Sequence, residues 1–307
     1  MDMLAAMQSF VRVVEHGSFS RAAGSLGVQT SAVSRTIAAL ERELSVDLFK
    51  RTTRSLHLTE PGATFYQHAR TVLREVDDAV IAVSDHRDQP SGVLKLALPD
   101  AFARLHIMPH VPELLARYSD LRLDLQLSDV RVDIISVGAD AAIRIGPLID
   151  SALIARKLAP HRRVLCASPA YLAARPAPKR PEDLVQHDCL IYSLQPSHNW
   201  YFRDAEGAET ALPVRGPLRA DDSEPLRAAA LAGLGMVLLP TWLVGDDLRA
   251  GRLERVLPAF QAMIATQPSG IFGLYPPHRA VPSKVRVFLD FLQGKFGRTP
   301  YWEKGLA

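Results

Sequence analysis

Gln29, Thr30 and Ser31, followed by Ser34 and Arg35, place an amide, three small hydroxyls and a guanidinium within seven residues. These groups can read base edges. Gln pairs with adenine, Arg pairs bidentately with guanine, and Ser or Thr bonds base edges or phosphate oxygens. Fifteen residues beyond Arg35, Lys50, Arg51 and Arg54 crowd a five-residue stretch that also holds Thr52 and contains no acid. That chemistry suits phosphates better than bases. The charge is local: residues 1–88 hold ten Lys or Arg against eleven Asp or Glu, so no broad basic field covers this segment. A solvated helix face would carry the same polar row. The basic stretch at this distance is what favours nucleic acid.

Short helices are expected to position these groups. Leu4, Met7, Val11 and Val14 recur at three- and four-residue steps, and Gly17 should end that helix. Ser18 or Ser20 can cap a second helix running from Arg21 to Leu26 and stopping at Gly27. Thr30 can cap a third, with Val33, Ile37, Leu40 and Leu44 on its inner face. Only Gly27, Val28 and Gln29 separate the last two, a turn tight enough for a helix-turn-helix over about 19–38. Leu56 and Leu58 alternate with polar residues, which predicts a short strand behind a basic loop, a wing. Thr59 then caps a long helix, with Pro61 tolerated in its first turn. Its stripe of Phe65, Ala69, Val72, Val76, Val80 and Val83 lasts about 25 residues, roughly 38 Å at 1.5 Å per residue. One apolar seam of that length calls for a partner helix.

Gln89-Pro90-Ser91-Gly92 marks a domain boundary. Beyond it, apolar runs at 93–98, 121–127, 141–145, 163–167, 189–192 and 236–239 read as strands. Helical stretches fall at 101–118, 225–232 and 283–292, and the alternation predicts open, mainly parallel α/β sheets in two lobes.

The run Gly17-Ser18-Phe19-Ser20-Arg21-Ala22-Ala23, then Leu26-Gly27-Val28, Ser31-Ala32-Val33-Ser34-Arg35, Ile37, Leu40-Glu41, Glu43-Leu44, Leu48-Phe49, Arg51 and Leu58-Thr59-Glu60-Pro61-Gly62 resembles the LysR-type transcriptional regulators. Asp140-Ala141-Ala142-Ile143-Arg144-Ile145-Gly146, Cys166-Ala167-Ser168-Pro169-Ala170-Tyr171-Leu172 and Ala232-Gly233-Leu234-Gly235-Met236 resemble the effector domain of the same family. The resemblance implies a winged helix-turn-helix over 1–59 and a linker and dimerisation helix over 60–89. It implies an effector-binding domain over 90–300, similar to type 2 periplasmic binding proteins, with lobe I at about 93–161 and 269–296 and lobe II at about 162–268. It further implies a homodimer through the linker helix, commonly a homotetramer, on double-stranded promoter DNA, with RNA polymerase a further partner. The DNA-binding set is then Ser18, Gln29, Thr30, Ser31, Ser34, Arg35, Lys50, Arg51, Thr52 and Arg54. In one respect the chain departs from the family pattern: it has Gln29-Thr30 where members often carry Ser-Gln, which bears on base preference.

Ligands of such open sheets sit at the carboxyl ends of strands, between lobes. That nominates Asp100, Ala101, Phe102, Ser128, Arg144 and Gly146 on one side, and Ser193, Asp221, Asp222 and Ser223 on the other. Taken singly, most of these also suit turns or caps: Asp129 in a turn, Ser223 as a helix cap. A small co-inducer is expected, with no cofactor or metal. Two chemistries stay open for it: an anion at Arg144 or at the helix start after Ser223, and a donor-bearing neutral or cationic molecule at Asp100.

Composition excludes several other classes. With 48% hydrophobic and 22% charged residues the chain can bury a real core, yet no run approaches the roughly 20 apolar residues that span a bilayer. The N-terminus runs straight into amphipathic spacing without a basic leader, so a cytoplasmic protein is expected rather than an exported solute-binding one. Cys166 and Cys189 lie in apolar surroundings and read as buried reduced thiols. No phosphate loop, HExxH or GxSxG appears, and His161 and His187 stand apart as surface or structural groups, which argues against an enzyme.

Overall fold

The computed structural model describes residues 1–50, 56–84, 90–130, 134–135, 137–148, 152–195, 197–277 and 281–306. Arg51, Thr52 and Arg54 lie outside them, as do the side chains of Val80 and Val83. The chain divides into two compact units, residues 1–86 and 87–307.

In the first unit α1 (Met3–His16) is capped by Asp2, whose carboxylate accepts from Ala5 N at 3.1 Å, and it ends at Gly17. Its buried face is Ala6, Phe10 and Val13 with Val11, while Leu4 is exposed. The core stripe is therefore rotated from the expected Leu4–Met7–Val11–Val14 line, because Phe10 takes the centre. α2 (Phe19–Leu26) starts two residues earlier than expected, with Ser18 as its cap. α3 (Thr30–Leu44) buries Val33, Ile37 and Leu40. The cap of α3 is Gln29, not Thr30, and Gln29 makes no side-chain cap hydrogen bond. β1 (Phe49–Lys50) pairs antiparallel with β2 (His57–Leu58), giving the wing its base.

α4 (Glu60–Ser84) follows, and Thr59 Oγ1 accepts from Gly62 N at 3.0 Å. Gly62 is required here: a Cβ at this position would stand 2.0 Å from the Leu48 carbonyl oxygen, which also accepts from Thr59 N at 3.0 Å. Phe65 and Ala69 pack into the first unit's own core, so they are not part of an outer seam. Val72 and Val76 remain exposed.

The second unit opens with β3 (Gly92–Leu98). The expected helix over 101–118 is instead a chain of short turns: α5 (Asp100–Phe102), a wide π turn (Ala103–Ile107), a tight turn (Met108–His110) and α6 (Val111–Arg117). Pro109 and Pro112 have no N–H to continue an α-helical ladder, and the ladder breaks around them. β4 (Leu121–Leu127), β5 (Ala141–Pro147) and β6 (Ile154–Pro160) complete the outgoing half of the first lobe.

The second lobe holds β7 (Arg163–Ala167), α7 (Pro169–Ala174), β8 (Cys189–Tyr192), β9 (Asn199–Arg203), β10 (Glu209–Pro213), β11 (Arg219–Ala220), α8 (Ser223–Leu231), β12 (Met236–Pro240), α9 (Thr241–Arg249), β13 (Glu254–Arg255) and β14 (Gln261–Met263). The chain then returns through β15 (Ser269–Tyr275) and α10 (Ser283–Phe296).

Each lobe has a five-stranded sheet, ordered β4-β3-β5-β15-β6 and β11-β8-β12-β7-β13, and β10-β9-β14 forms a small antiparallel sheet. The sheets are mixed rather than mainly parallel. β3 runs parallel to β4 and β5, but β15 is antiparallel to β5 and β6. In the second sheet β12 is parallel to β8 and antiparallel to β7. The cause is the double crossing: β6 leaves the first lobe where β15 re-enters it, and β7 begins at the junction where β12 ends.

One core joins the lobes, from Leu96 and Phe102 to Val237 and Trp242. Residues past 300 belong to it, because Trp302 is buried against Phe102, Phe296 and His106 with ring centroids 5.8, 5.1 and 4.5 Å away. Asp247, fully buried, accepts from Arg227 and Arg252 and so ties α8 to α9.

His106, in the π turn, bonds the Trp242 carbonyl at 3.0 Å through Nε2 and the Tyr301 hydroxyl at 2.6 Å through Nδ1. Burial pushes its pKa down to about 4. The folded state thus favours neutral His106, and its contribution is full above the ordinary value of 6.5 and lost as pH falls toward 4. The second unit should therefore lose stability over that window, by up to about 3 kcal/mol from this group. Calorimetry from pH 7 to pH 4 checks this, with a shallower slope expected for His106→Asn.

Candidate nucleic-acid interface and ligand cleft

The turn between α2 and α3 is built by Gly27, which adopts the left-handed region at φ 68°, and by Val28 N donating to Ala23 O at 3.1 Å. It aims the start of α3 outward. Gln29, Thr30, Ser31, Ser34 and Arg35 are all exposed, while Val33, Ile37 and Leu40 anchor the opposite face. With no side chain capping α3, its first-turn amides face outward at the positive end of the helix dipole. Arg35 Nε donates to Ser31 O at 3.3 Å, so its guanidinium lies along the helix.

Ser18 is half-buried and engaged, accepting from Arg21 N at 3.5 Å and lying 3.0 Å from the Ser20 hydroxyl. It caps the start of α2. Lys50 is exposed at the edge of the wing. Glu41, outside the expected site residues, accepts through Oε1 from Leu48 N at 2.8 Å and Phe49 N at 3.2 Å. That carboxylate fixes where the wing starts relative to α3. Glu41 stood in plain sight, but only the chain's return to α3 gives it those partners.

In the second unit, the ends of β3 and β4 meet where Asp129 Oδ1 accepts from Asp100 N at 3.1 Å and Ser128 N donates to Leu98 O at 3.0 Å. Asp100 also pairs with Arg104 at 3.3 Å. Ala101 and Phe102, nominated with Asp100, are buried in the core: the Phe102 ring stacks edge-on against Trp242 at 5.3 Å. They support the turn and do not line a cleft. Arg144 is half-buried on β5 opposite Phe272, and Gly146 takes φ 121° near the end of that strand.

On the second lobe, Ser193 N donates to Ala220 O at 2.8 Å, and Asp221 is exposed. Asp222, not Ser223, caps α8, accepting from Glu224 N at 2.9 Å, and Ser223 is buried in the first turn. Asp129 of the first lobe lies close enough to Asp222 and Tyr192 of the second for their charges to interact. Burial raises the Asp129 carboxyl above the usual range, and the Asp222 and Asp100 carboxylates add to it. Burial likewise raises the Tyr192 hydroxyl, reinforced by Asp129 of the first lobe and by Asp222 and Asp221. The cleft mouth is thus acidic on both sides.

Three further groups stand at this junction. Arg163 opens β7 opposite Pro240, with its guanidinium 5.6 Å from the Tyr192 ring centre. His161, just before it, is partly buried: burial pushes its pKa down to about 3, and its Nδ1 is enclosed without a partner among the described residues. Gln195, just past β8, has both amide atoms enclosed and unpartnered. Elsewhere, His187 is buried 3.3 Å from the Tyr171 hydroxyl. Cys166 and Cys189 are free and buried, and burial pushes both thiols up to about 12. Among the described residues no three His, Cys, Asp or Glu groups could hold a metal.

The profile of the bacterial regulatory helix-turn-helix protein, lysR family, matches residues 4–63, and that of the LysR substrate binding domain matches residues 87–297. The transcriptional regulator DmlR of Escherichia coli is 35% identical over 298 residues, covering 96% of this chain and 95% of that one. The transcriptional regulator CrgA of Neisseria meningitidis serogroup B is 39% identical over 292 residues, covering 94% and 95%. Among solved structures, the full-length virulence activator AphB of Vibrio cholerae aligns with a TM-score of 0.61 at 30% identity, covering 96% of this chain and 99% of that one. The structure of CrgA aligns with a TM-score of 0.60 at 35% identity, with the same coverage.

Proposed function

This chain belongs to the LysR family of bacterial helix-turn-helix transcriptional regulators, and from that premise we propose which residues read DNA, where a small molecule acts and how subunits meet. It is a DNA-binding regulator with a substrate-binding-type regulatory domain, in a family of regulators and not of enzymes.

The start of α3 enters the major groove of promoter DNA, with Gln29, Thr30, Ser31, Ser34 and Arg35 toward base edges. The observation that carries this is the exposed row itself, set on an uncapped helix start whose other face is locked in the core. Lys50 and the wing residues Arg51, Thr52 and Arg54 hold phosphates or the minor groove, and Ser18 keeps α2 in register. The effector sits between the lobes, near Asp100, Ser128 and Asp129 on one side and Ser193, Asp221 and Asp222 on the other, with Arg144 and Gly146 at its margin. Its binding changes how the regulator engages DNA and RNA polymerase. Among the described residues no helix is long and apolar enough to cross a membrane, in keeping with a cytoplasmic protein at its promoter.

Subunits pair through α4, and dimers assemble into tetramers. Exposed Val72 and Val76 on a 25-residue helix support the pairing. The seam starts at Val72, since Phe65 is consumed by the first unit's core.

Arg35→Ala is expected to compress the ratio of specific to random DNA affinity. Lys50→Ala or Arg54→Ala should weaken both alike and lower the salt slope of binding by about 1. Fluorescence anisotropy over a salt series distinguishes them, and an unchanged ratio for Arg35→Ala would remove α3 as the reader.

Val76→Asp places a carboxylate in the seam and should cost several kcal/mol of dimer stability. Sedimentation should show a lighter species with weaker DNA binding, whereas wild-type mass would move the subunit interface elsewhere.

A further inference from the structure

Several guanidinium groups of the second lobe are balanced by a carboxylate. Arg227 and Arg252 share Asp247, Arg175 meets Asp188 at 2.9 Å, and Arg249 meets Asp246 at 2.6 Å. Among the described residues Arg215, Arg219 and Arg255 have no such partner but are exposed, whereas Arg163 is shielded and has none either. Its Nη1 donates to the Leu238 carbonyl at 3.0 Å, its plane lies by the Tyr192 ring, and its Nε–H is enclosed with no acceptor. No carboxylate among the described residues pairs with it. Burial pushes this group down to about 10, so it stays charged at neutral pH while lacking a counter-charge.

A shielded cation without a partner is costly, and a protein that only needed to fill this volume would do so with an apolar side chain. The position of Arg163 shows what could supply the missing charge. It is the first residue of β7, opposite Pro240 at the carboxyl end of β12, on the edge of the sheet where β8 also ends in Tyr192. At that edge Tyr192 feels the Asp129 carboxylate of the first lobe, which sets the edge toward the cleft. His161 Nδ1 and both amide atoms of Gln195, enclosed and unpartnered, bracket the same junction.

We infer that Arg163, stacked on Tyr192, anchors the carboxylate of a small organic acid whose hydroxyl or ammonium group faces Asp129 across the cleft. This rests on the reading of the cleft as the effector site and replaces the anchors expected from sequence. The start of α8 is already occupied by Asp222, and Ser223 is buried. Asp129 spends Oδ1 on the Asp100 amide, and among the described residues nothing donates to its Oδ2, which is left for a donor on the ligand. An acid without a donor would meet only repulsion on that side, and a neutral amide would leave the guanidinium unpaired.

The test uses full-length protein and matched probes: mandelate and lactate as hydroxy acids, phenylacetate and propionate without the hydroxyl, and mandelamide and lactamide without the charge. The hydroxy acids should raise the wild-type melting temperature more than either comparison set. In Arg163→Met that shift should vanish while the ligand-free melting temperature rises by about 2 °C or more, because a buried unpaired charge is gone. Arg163→Lys should keep part of the shift. A ligand-free Arg163→Met that melts well below wild type would show that Arg163 is structurally compensated and overturn the inference. Acid shifts that survive in Arg163→Met would overturn the anchor but keep the cleft as the effector site. Amide shifts equal to those of the acids, or no shift from any probe, would overturn the ligand class and leave the DNA-binding reading, which is measured separately, intact.

Discussion

Phe10 sits where three elements must meet for this protein to present anything to DNA. Its ring is fully buried, 5.2 Å from Phe49 of the wing and 5.4 Å from Phe65 of the long helix. The helix that carries it packs against α2 and α3. Tilted and edge-on aromatic pairs contribute both buried area and preferred geometry, so one side chain sets the mutual placement of helix pair, wing and long helix. Glu41 adds the polar half of that constraint by accepting the Leu48 and Phe49 amides. The exposed row on α3 has a fixed bearing relative to Lys50 only because both contacts hold.

The regulatory domain follows a different logic. Its two sheets are joined by crossing strands and share one core, and Trp302 closes that core from the chain's end against Phe102 of the first lobe. His106 works at the same place, bridging the Trp242 carbonyl and Tyr301 with a neutral ring. Apolar packing therefore holds the lobes together on one side of the junction. On the other, charged groups gather at strand ends: Asp100 and Asp129 opposite Asp222 and Tyr192, with Arg163 behind. A domain with a sealed hinge and a polar mouth can change shape when a ligand with differential affinity for its states occupies the mouth.

Much of this was legible in the residues. The helix-turn-helix followed from glycine punctuation and apolar steps, since Gly17 and Gly27 do end their helices in left-handed conformations. Strands at 163–167 and 189–192 fell where their apolar runs predicted. What did not read through depends on tertiary partners. The α1 stripe is displaced because Phe10 outcompetes Leu4 for the core, which spacing alone cannot decide. The helix over 101–118 is different: Pro109 and Pro112, both local in the sequence, break its ladder. Asp222 takes the cap expected of Ser223, a one-residue shift that local sequence permits either way. Arg163 looked like the polar start of a strand. Its lack of a counter-charge is a property of the folded surroundings and leaves no trace in the sequence around it.

On the proposed reading, α3 and the wing recognise a defined DNA site under control of the second domain. Nuclease footprinting of the purified full-length protein on DNA flanking its own gene, in excess random competitor at fixed salt, tests that claim most directly. A discrete protected stretch that persists against the competitor is the predicted result. Protection that disappears with the competitor, leaving no preferred position, would contradict it.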